Sequence, residues 1–226
     1  MAKREAASET ITACKRCGTC CKKGGPAIHT EDLPMIESGK ILLKHLFTLR
    51  RGEPAHDNLT REILPCATDI IKIKSRKEST ACIFYDEQAM SCSIYENRPI
   101  ECRVMKCWNT SEISSIYNRN RLTRYDIVGN VEGLWELVTD HQERCSFGSI
   151  LAFADQIRES RRKNPVLEKE VRYRIQYDME IRSLARDKGN LDDGMMEFLF
   201  GRPIMDTMKS LGINILYGCR SVDRQP

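Results

Sequence analysis

The sequence predicts a helix-rich α+β protein in two parts, a cysteine-rich half with a small β-hairpin and a mostly α-helical half. Two observations predict this division. Eight of the 11 cysteines lie in residues 14–21 and 82–107, and apolar residues beyond residue 111 recur with the spacing of amphipathic helices. The predicted boundaries are a polar N-terminal segment at 1–11, a cysteine-rich region at 12–110 and a helical region at 111–226.

The first predicted element of the cysteine-rich half is a long helix over residues 29–52. Thr30 suits the N-cap, and the acidic residues and proline that follow suit a first helical turn. The charged run at residues 50–54, Arg-Arg-Gly-Glu-Pro, is expected to be a solvated helix end. An alternation of apolar and basic residues follows at 69–77.

Two further short elements carry the later cysteines. Residues 81–95 predict two strands around a tight turn, and their pairing would bring Cys82 close to Cys92. Asn97 is expected to cap a short helix that holds Cys102 about one turn in, where backbone amides favour a thiolate.

The helical half shows several apolar faces separated by helix-breaking residues. Asn164-Pro165 is expected to separate two helices, and Gly201-Arg-Pro203 separates the last pair. These faces must be buried, either against the cysteine-rich half or in a homodimer formed through the C-terminal helices.

Composition excludes several classes of protein. A net charge of +4 and 7% aromatic residues do not suit a dedicated nucleic-acid-binding surface or rows of base-stacking platforms. No apolar run is long enough to cross a membrane, and the N-terminal segment is polar. We therefore expect a cytoplasmic protein whose thiols are kept reduced.

The spacing of the first cysteines points to metal binding. Cys14, Cys17 and Cys20 have the C-x2-C-x2-C form that wraps a cubane iron–sulfur cluster with a fourth, distant cysteine. C-x2-C alone is equally typical of a zinc site. Cys21 fits neither simple pattern, because adjacent side chains can seldom both bind one tetrahedral ion. Cys20 and Cys21 are thus expected to contact different metals or different atoms of one cluster.

The predicted metal ligands are the eight clustered cysteines, enough for two four-coordinate sites or for one site with spare thiols: Cys14, Cys17, Cys20, Cys21, Cys82, Cys92, Cys102 and Cys107. Arg98 and Arg103 are predicted to contact the cofactor by offsetting thiolate charge. Of the three isolated cysteines, Cys66 has more reason to join a site than Cys145 or Cys219. His29 is either a further ligand or a surface histidine.

These motifs resemble the CxxCxxCC cysteine-cluster proteins, the YkgJ-like group described as zinc- or iron-chelating. The resemblance spans about residues 12–108 and rests on two motifs, "CKRCGTCC" and the later "CIFYDEQAMSCSIYENRPIECR". It implies seven metal ligands: Cys14, Cys17, Cys20, Cys21, Cys82, Cys92 and Cys102. Cys107 lies beyond the motif and is added from local cysteine density.

The resemblance leaves the metal open, and two functions from different classes follow. In the first, a 4Fe–4S cluster serves electron transfer with a protein carrier or an iron–sulfur oxidoreductase reaction. In the second, zinc is structural and the helical half binds another protein. A third interpretation, a module related to protein lysine methylation, rests on a relative in flagellin methylases, because no methyl-donor loop is visible.

Overall fold

The computed structural model describes residue 14, residues 16–159 and residues 164–212. The strands are β1 Leu46–Leu49, β2 Pro54–His56, β3 Ile63–Pro65, β4 Ile70–Ile73, β5 Tyr85–Asp86 and β6 Ser91–Cys92. The helices are α1 Leu33–Glu37, α2 Ile100–Val104, α3 Ser111–Ile116, α4 Arg124–Val128, α5 Leu134–Arg144, α6 Phe147–Glu159, α7 Pro165–Asp187, α8 Met196–Phe200 and α9 Ile204–Ser210. Helices dominate the second half and small antiparallel strand pairs lie in the first, which confirms the predicted fold class.

The predicted helix over residues 29–52 is wrong in its extent. Only α1 is α-helical there, and the chain turns at Gly39 before entering β1. His29, and not Thr30, precedes the first helical turn, where its backbone N–H donates to the Asp32 carboxylate (3.1 Å). The helix does not continue through Leu46–Leu49 because the side chains of these residues alternate in burial, which suits a half-buried strand.

Three antiparallel strand pairs form in the described residues: β1 with β4, β2 with β3, and β5 with β6. In the first pair, Leu46 lies opposite Ile73 and Thr48 opposite Ile71. All four side chains are buried, so this pair presents one apolar face to the core.

The main core combines both halves of the chain. Ile28, Leu46 and Ile71 come from the cysteine-rich half, and they share one cluster with Val138 and Phe198 from the helical half. Helix α8 packs on β1, and the Thr48 hydroxyl donates to the carbonyl of Phe198 (2.6 Å). The helical half therefore covers the cysteine-rich half, as one of the two predictions for its apolar faces required.

A second apolar cluster joins α6, α7 and α9, and a buried polar group borders it. The Asp178 carboxylate accepts hydrogen bonds from His141 Nε2 (2.7 Å), Arg182 Nε (3.0 Å) and the Ile204 backbone N–H (3.1 Å). Burial lowers the pKa of His141 to about 4, although the hydrogen bond with Asp178 opposes this. The neutral imidazole and the charged Asp178–Arg182 pair thus fix three helices to one another.

Arg50 and Glu53 of the run at residues 50–54 are buried and the run is not helical, so the prediction of a solvated helix end is wrong. Arg50 is fully buried, and its Nη1 donates to the carbonyl of Cys145 (3.0 Å) while its guanidinium lies over Phe147. The Glu53 carboxylate accepts from the Arg50 backbone N–H (2.9 Å) and from Arg202 Nε (2.7 Å). The charges are buried because both find partners in the helical half.

The predicted hairpin is confirmed as β5 and β6, whereas the predicted cap of the next helix is wrong. Asn97 ends a single 3₁₀ turn, and Pro99 occupies the N-cap of α2 because its fixed φ suits a helix entrance. Cys102 lies in the middle of this short helix. Among the described helices, none is both long and apolar enough to span a membrane.

Candidate metal centre

The first cysteine segment forms a tight turn that is fastened to the chain before the β5–β6 hairpin. The Lys22 backbone N–H donates to the carbonyl of Gly18 (2.8 Å) and closes the turn. The Cys82 backbone N–H donates to the carbonyl of Cys21 (2.8 Å), and the Thr80 hydroxyl donates to that of Lys22 (2.6 Å). These bonds bring two segments about sixty residues apart in sequence into contact, and each contributes thiols.

Tyr85 of β5 supports this turn from beneath. Its side chain is 2% exposed, and its register partner in β6 is Cys92. In the described part of the chain, the buried Tyr85 hydroxyl has no hydrogen-bond partner. It lies directly against Gly18, in a space that a Cβ atom would fill. A buried, unpaired hydroxyl is therefore aimed at the backbone of the first cysteine segment.

Gly18→Ala is expected to destabilise the protein more than Gly39→Ala. Both glycines have a left-handed φ, +74° and +73°, so a side chain at either costs about 1 kcal/mol. A Cβ at Gly39 meets nothing within 4 Å, whereas one at Gly18 overlaps the Tyr85 hydroxyl. We expect a further loss of about 1–3 kcal/mol for Gly18→Ala, measured by urea unfolding. Equal losses would show that the contact with Tyr85 contributes nothing.

Five cysteines, here called the thiol group, lie close enough for their charges to act on one another: Cys20, Cys21, Cys82, Cys92 and Cys102. They come from the first cysteine turn, the β5–β6 hairpin with the residues just before it, and α2. Cys82 is 8% exposed and belongs to the main core, while Cys20 lies at the surface. The thiol group thus extends from the core to solvent.

The surroundings of Cys21, Cys82 and Cys102 raise the pKa of each thiol and so favour its neutral form. Burial, followed by the charges of Cys20, Cys92 and Cys82, raises the pKa of Cys21 to about 12. Burial and the charges of the other four thiols likewise raise the pKa of Cys102. The expected lowering of the Cys102 pKa by helix amides is wrong, because burial against other thiols outweighs it. Only a bound cation would let several of these thiols ionise together.

Three of the eight predicted ligands stand apart from the thiol group in the described structure: Cys14, Cys17 and Cys107. All three are exposed. Cys14 Sγ accepts from the Arg16 backbone N–H (3.4 Å), and a hydrogen bond with Thr19 lowers the pKa of Cys17. Their assignment as ligands stays a prediction.

The two arginines predicted to contact a cofactor have partners away from the thiols. Arg98 stacks on the ring of Tyr95 (3.6 Å) and its Nε donates to the carbonyl of the same residue (2.8 Å). Arg103 Nη2 lies 3.8 Å from the Asp32 carboxylate. The Arg16 guanidinium also lies over Tyr95 (3.9 Å), so this ring links the first cysteine turn to the approach to α2.

The isolated cysteines fall in different places. Cys145 is fully buried in the second apolar cluster, as expected of a packing residue. Cys66 is 7% exposed, and the charges that act on it come from residues such as Glu53 and Arg121 and not from the thiol group. The preference for Cys66 as an additional ligand therefore finds no support in its position. Cys219 lies outside the described residues.

His29 is buried, so the prediction of a surface histidine is wrong. Both ring nitrogens have partners: Nδ1 lies 2.7 Å from the carbonyl of Arg119, and Nε2 lies 3.3 Å from Glu101 Oε1. Burial opposes protonation of His29, but its bonds with Glu101 and Arg119 outweigh this and raise its pKa. Glu101, expected to be solvated, is 7% exposed and accepts from the Ala27 backbone N–H (2.7 Å).

The donor chemistry fits zinc or iron, although the thiols are not closed around a common point. Among residues 14, 16–159 and 164–212, no three His, Cys, Asp or Glu side chains form a ready-made coordination group. The five thiols are nevertheless close enough for their charges to act on one another, and thiolates are the soft ligands that zinc and iron–sulfur clusters take. A bound cation would offset the repulsion that arises when several of these thiols ionise together.

Three residues near this centre were not identified from the sequence. Tyr85 lies in an apolar run and looks like any strand residue. Glu101 is flanked by a cysteine and surrounded by charged residues, which favoured a solvated side chain. Lys72 occupies a basic position in the alternation at 69–77, yet it is only partly exposed. Strand alternation was the one available signal, because it places Lys72 on the face opposite Ile71 and Ile73.

Comparison with known proteins gave one match. The CxxCxxCC family model, described as "Putative zinc- or iron-chelating domain", matches residues 13–122. The matched segment contains all five members of the thiol group and the hairpin between them. Searches of the curated proteins and of the solved structures found no match.

Proposed function

Because residues 13–122 match the CxxCxxCC family model, which is zinc- or iron-chelating by description, we propose that the thiol group holds an iron–sulfur cluster and that the protein transfers electrons. The partner would be a protein electron carrier or a reducible substrate. The observation that carries the proposal is the grouping of five thiols close enough for their charges to interact, two of them adjacent in sequence.

The arrangement of the thiols, and not their number, favours a cluster over a single ion. A structural zinc site and a cubane each take four thiolates, so the fifth thiol is a spare in either case. Cys20 and Cys21 are neighbours, and adjacent side chains diverge. A cubane offers iron atoms at separate corners, so it accommodates ligands that approach from different directions.

The residues around the thiols provide an environment that suits an iron–sulfur cluster. Burial of Cys82 and the partial burial of Cys21 and Cys102 keep water from part of the thiol group. Tyr85 holds the first cysteine turn in position and presents a hydroxyl that can donate to a sulfur. When bound, an iron–sulfur cluster supplies one-electron transfer. Cys20, at the surface, marks the side from which a partner would approach.

A structural zinc site is the second candidate, and the hydrogen bond from Cys82 to Cys21 favours it. This bond already connects the two cysteine-bearing segments. A zinc ion in the same place would cross-link residues far apart in sequence and so stabilise the fold. The helical surface would then carry the function.

The test is anaerobic purification followed by analysis of iron, zinc and acid-labile sulfide, with an absorption spectrum before and after reduction. We expect about four irons and four sulfides per chain and a broad visible band that bleaches on reduction. Stoichiometric zinc without sulfide or colour would contradict the proposal if zinc is again the metal bound after the metal is removed and the protein is reconstituted with iron and sulfide in excess. The structural zinc site would then remain as the explanation.

A further inference from the structure

A cavity of about 330 Å³ is lined by residues of β1, β2 and β4 together with Glu101 of α2. Strands β1, β2 and β4 provide apolar walls, including Leu49, Pro54 and Ile70. The volume is at the lower end of the range found for small-molecule sites. The cavity therefore has the size and the apolar walls of a site for a small organic molecule.

The charged residues of this cavity are predominantly basic. Lys72, Arg121, Arg202 and His56 line it together with one acidic residue, Glu101. Glu101 is already engaged by His29 and by the Ala27 backbone N–H, and Arg202 is paired with Glu53. Among the described residues, Lys72 and Arg121 form no ion pair within 4 Å, although the charges of Glu101 and Asp57 act on them from farther away.

Both of these cations are available to a ligand. The Lys72 side chain forms no hydrogen bond or ion pair within the described part of the chain, and burial lowers its pKa while Glu101 opposes this. Arg121 stacks on the ring of Tyr117 (4.5 Å), and its buried Nε has no hydrogen-bond partner among the described residues. A buried guanidinium N–H without an acceptor is unfavourable, and an oxyanion would supply that acceptor.

We propose that this cavity binds a small organic oxyanion, a carboxylate or phosphate ester with an apolar body, whose charged group contacts Lys72 and Arg121. The apolar part of the molecule would lie against Leu49, Pro54 and Ile70. The guanidinium of Arg121 already lies over the ring of Tyr117. It would therefore lose little conformational freedom when its planar group binds an oxyanion. This site goes beyond the metal centre and does not require it.

The proposal is tested by isothermal titration of the full chain with octanoate and phenyl phosphate, using octanamide as the neutral analogue. We expect at least one anion to bind with a Kd below about 1 mM, and octanamide to bind at least about tenfold more weakly than octanoate. Failure of both anions to bind, or equal binding of octanoate and octanamide, would overturn the proposal.

Substitutions of the two cations test whether the anion binds in this cavity. Lys72→Met and Arg121→Met should each weaken anion binding by about tenfold or more, whereas Lys77→Met, on the exposed segment after β4, should leave it unchanged. Thermal unfolding and metal content of each variant are measured in parallel. If a variant does not fold, the comparison of octanoate with octanamide on the unmodified chain still decides. Anion binding that survives both substitutions would place the site elsewhere and overturn the proposal.

Discussion

Cys102→Ser is expected to lower metal affinity by at least about a hundredfold, since loss of a ligand should cost no less than loss of a supporting residue. Cys102 lies at the point where the charges of all four other members of the thiol group act. A serine hydroxyl does not ionise near neutral pH and is a hard donor, so it cannot replace the thiolate. The measurement is competition with a chelating dye, together with metal content after purification.

Cys66→Ser provides the matched control. Cys66 is as buried as Cys82 but lies beside Glu53 and Arg121, so its substitution should reduce stability modestly and leave metal affinity unchanged. If Cys66→Ser loses metal as readily as Cys102→Ser, the assignment of metal ligands to the thiol group is wrong. Cys17→Ser extends the series to an exposed thiol of the family motif.

Asp178→Ala is expected to have the largest effect on stability in the helical half, about 3–5 kcal/mol. The substitution leaves the partly buried guanidinium of Arg182 without its carboxylate, and it removes the acceptor of His141 and of the Ile204 backbone N–H. Three helices lose a common contact at once. The free energy of unfolding, measured in urea, should fall accordingly while metal content per folded chain is retained.

Asp155→Ala is the control for this prediction. Asp155 pairs with Arg158 one helical turn away, and both side chains are largely exposed. Exposed pairs of this kind contribute about 0.3–0.5 kcal/mol. A similar loss for the two variants would mean that the Asp178 contacts do not stabilise the fold.

Local signals in the sequence predicted much of the secondary structure. The hairpin around Cys82 and Cys92 followed from two short apolar runs and a turn. The break at Asn164 followed from the proline after it, because Pro165 begins a helix that Asn164 caps. Such signals act over a few residues, so no knowledge of the remaining fold is needed to read them.

Residues whose role depends on distant partners could not be predicted in this way. Arg50 and Glu53 look solvated in the sequence, because their partners, the Cys145 carbonyl and the Arg202 guanidinium, lie far away along the chain. His29 becomes a buried residue only because Glu101 and Arg119 close over it. The long helix predicted over 29–52 failed for the same reason, since the pairing of β1 with β4 outweighed local helical preference.

The shared core has a consequence for the order of events during synthesis. Phe198 and its neighbours in α8 complete the cluster that contains Ile28 and Leu46, but the ribosome makes them long after Cys102. At about 5–20 residues per second, the clustered cysteines wait several seconds before their supporting core can close. During that interval the thiols of the nascent chain are exposed to solvent, because the core that buries them is incomplete. Binding of a chaperone, or of the metal early in synthesis, would protect them from oxidation.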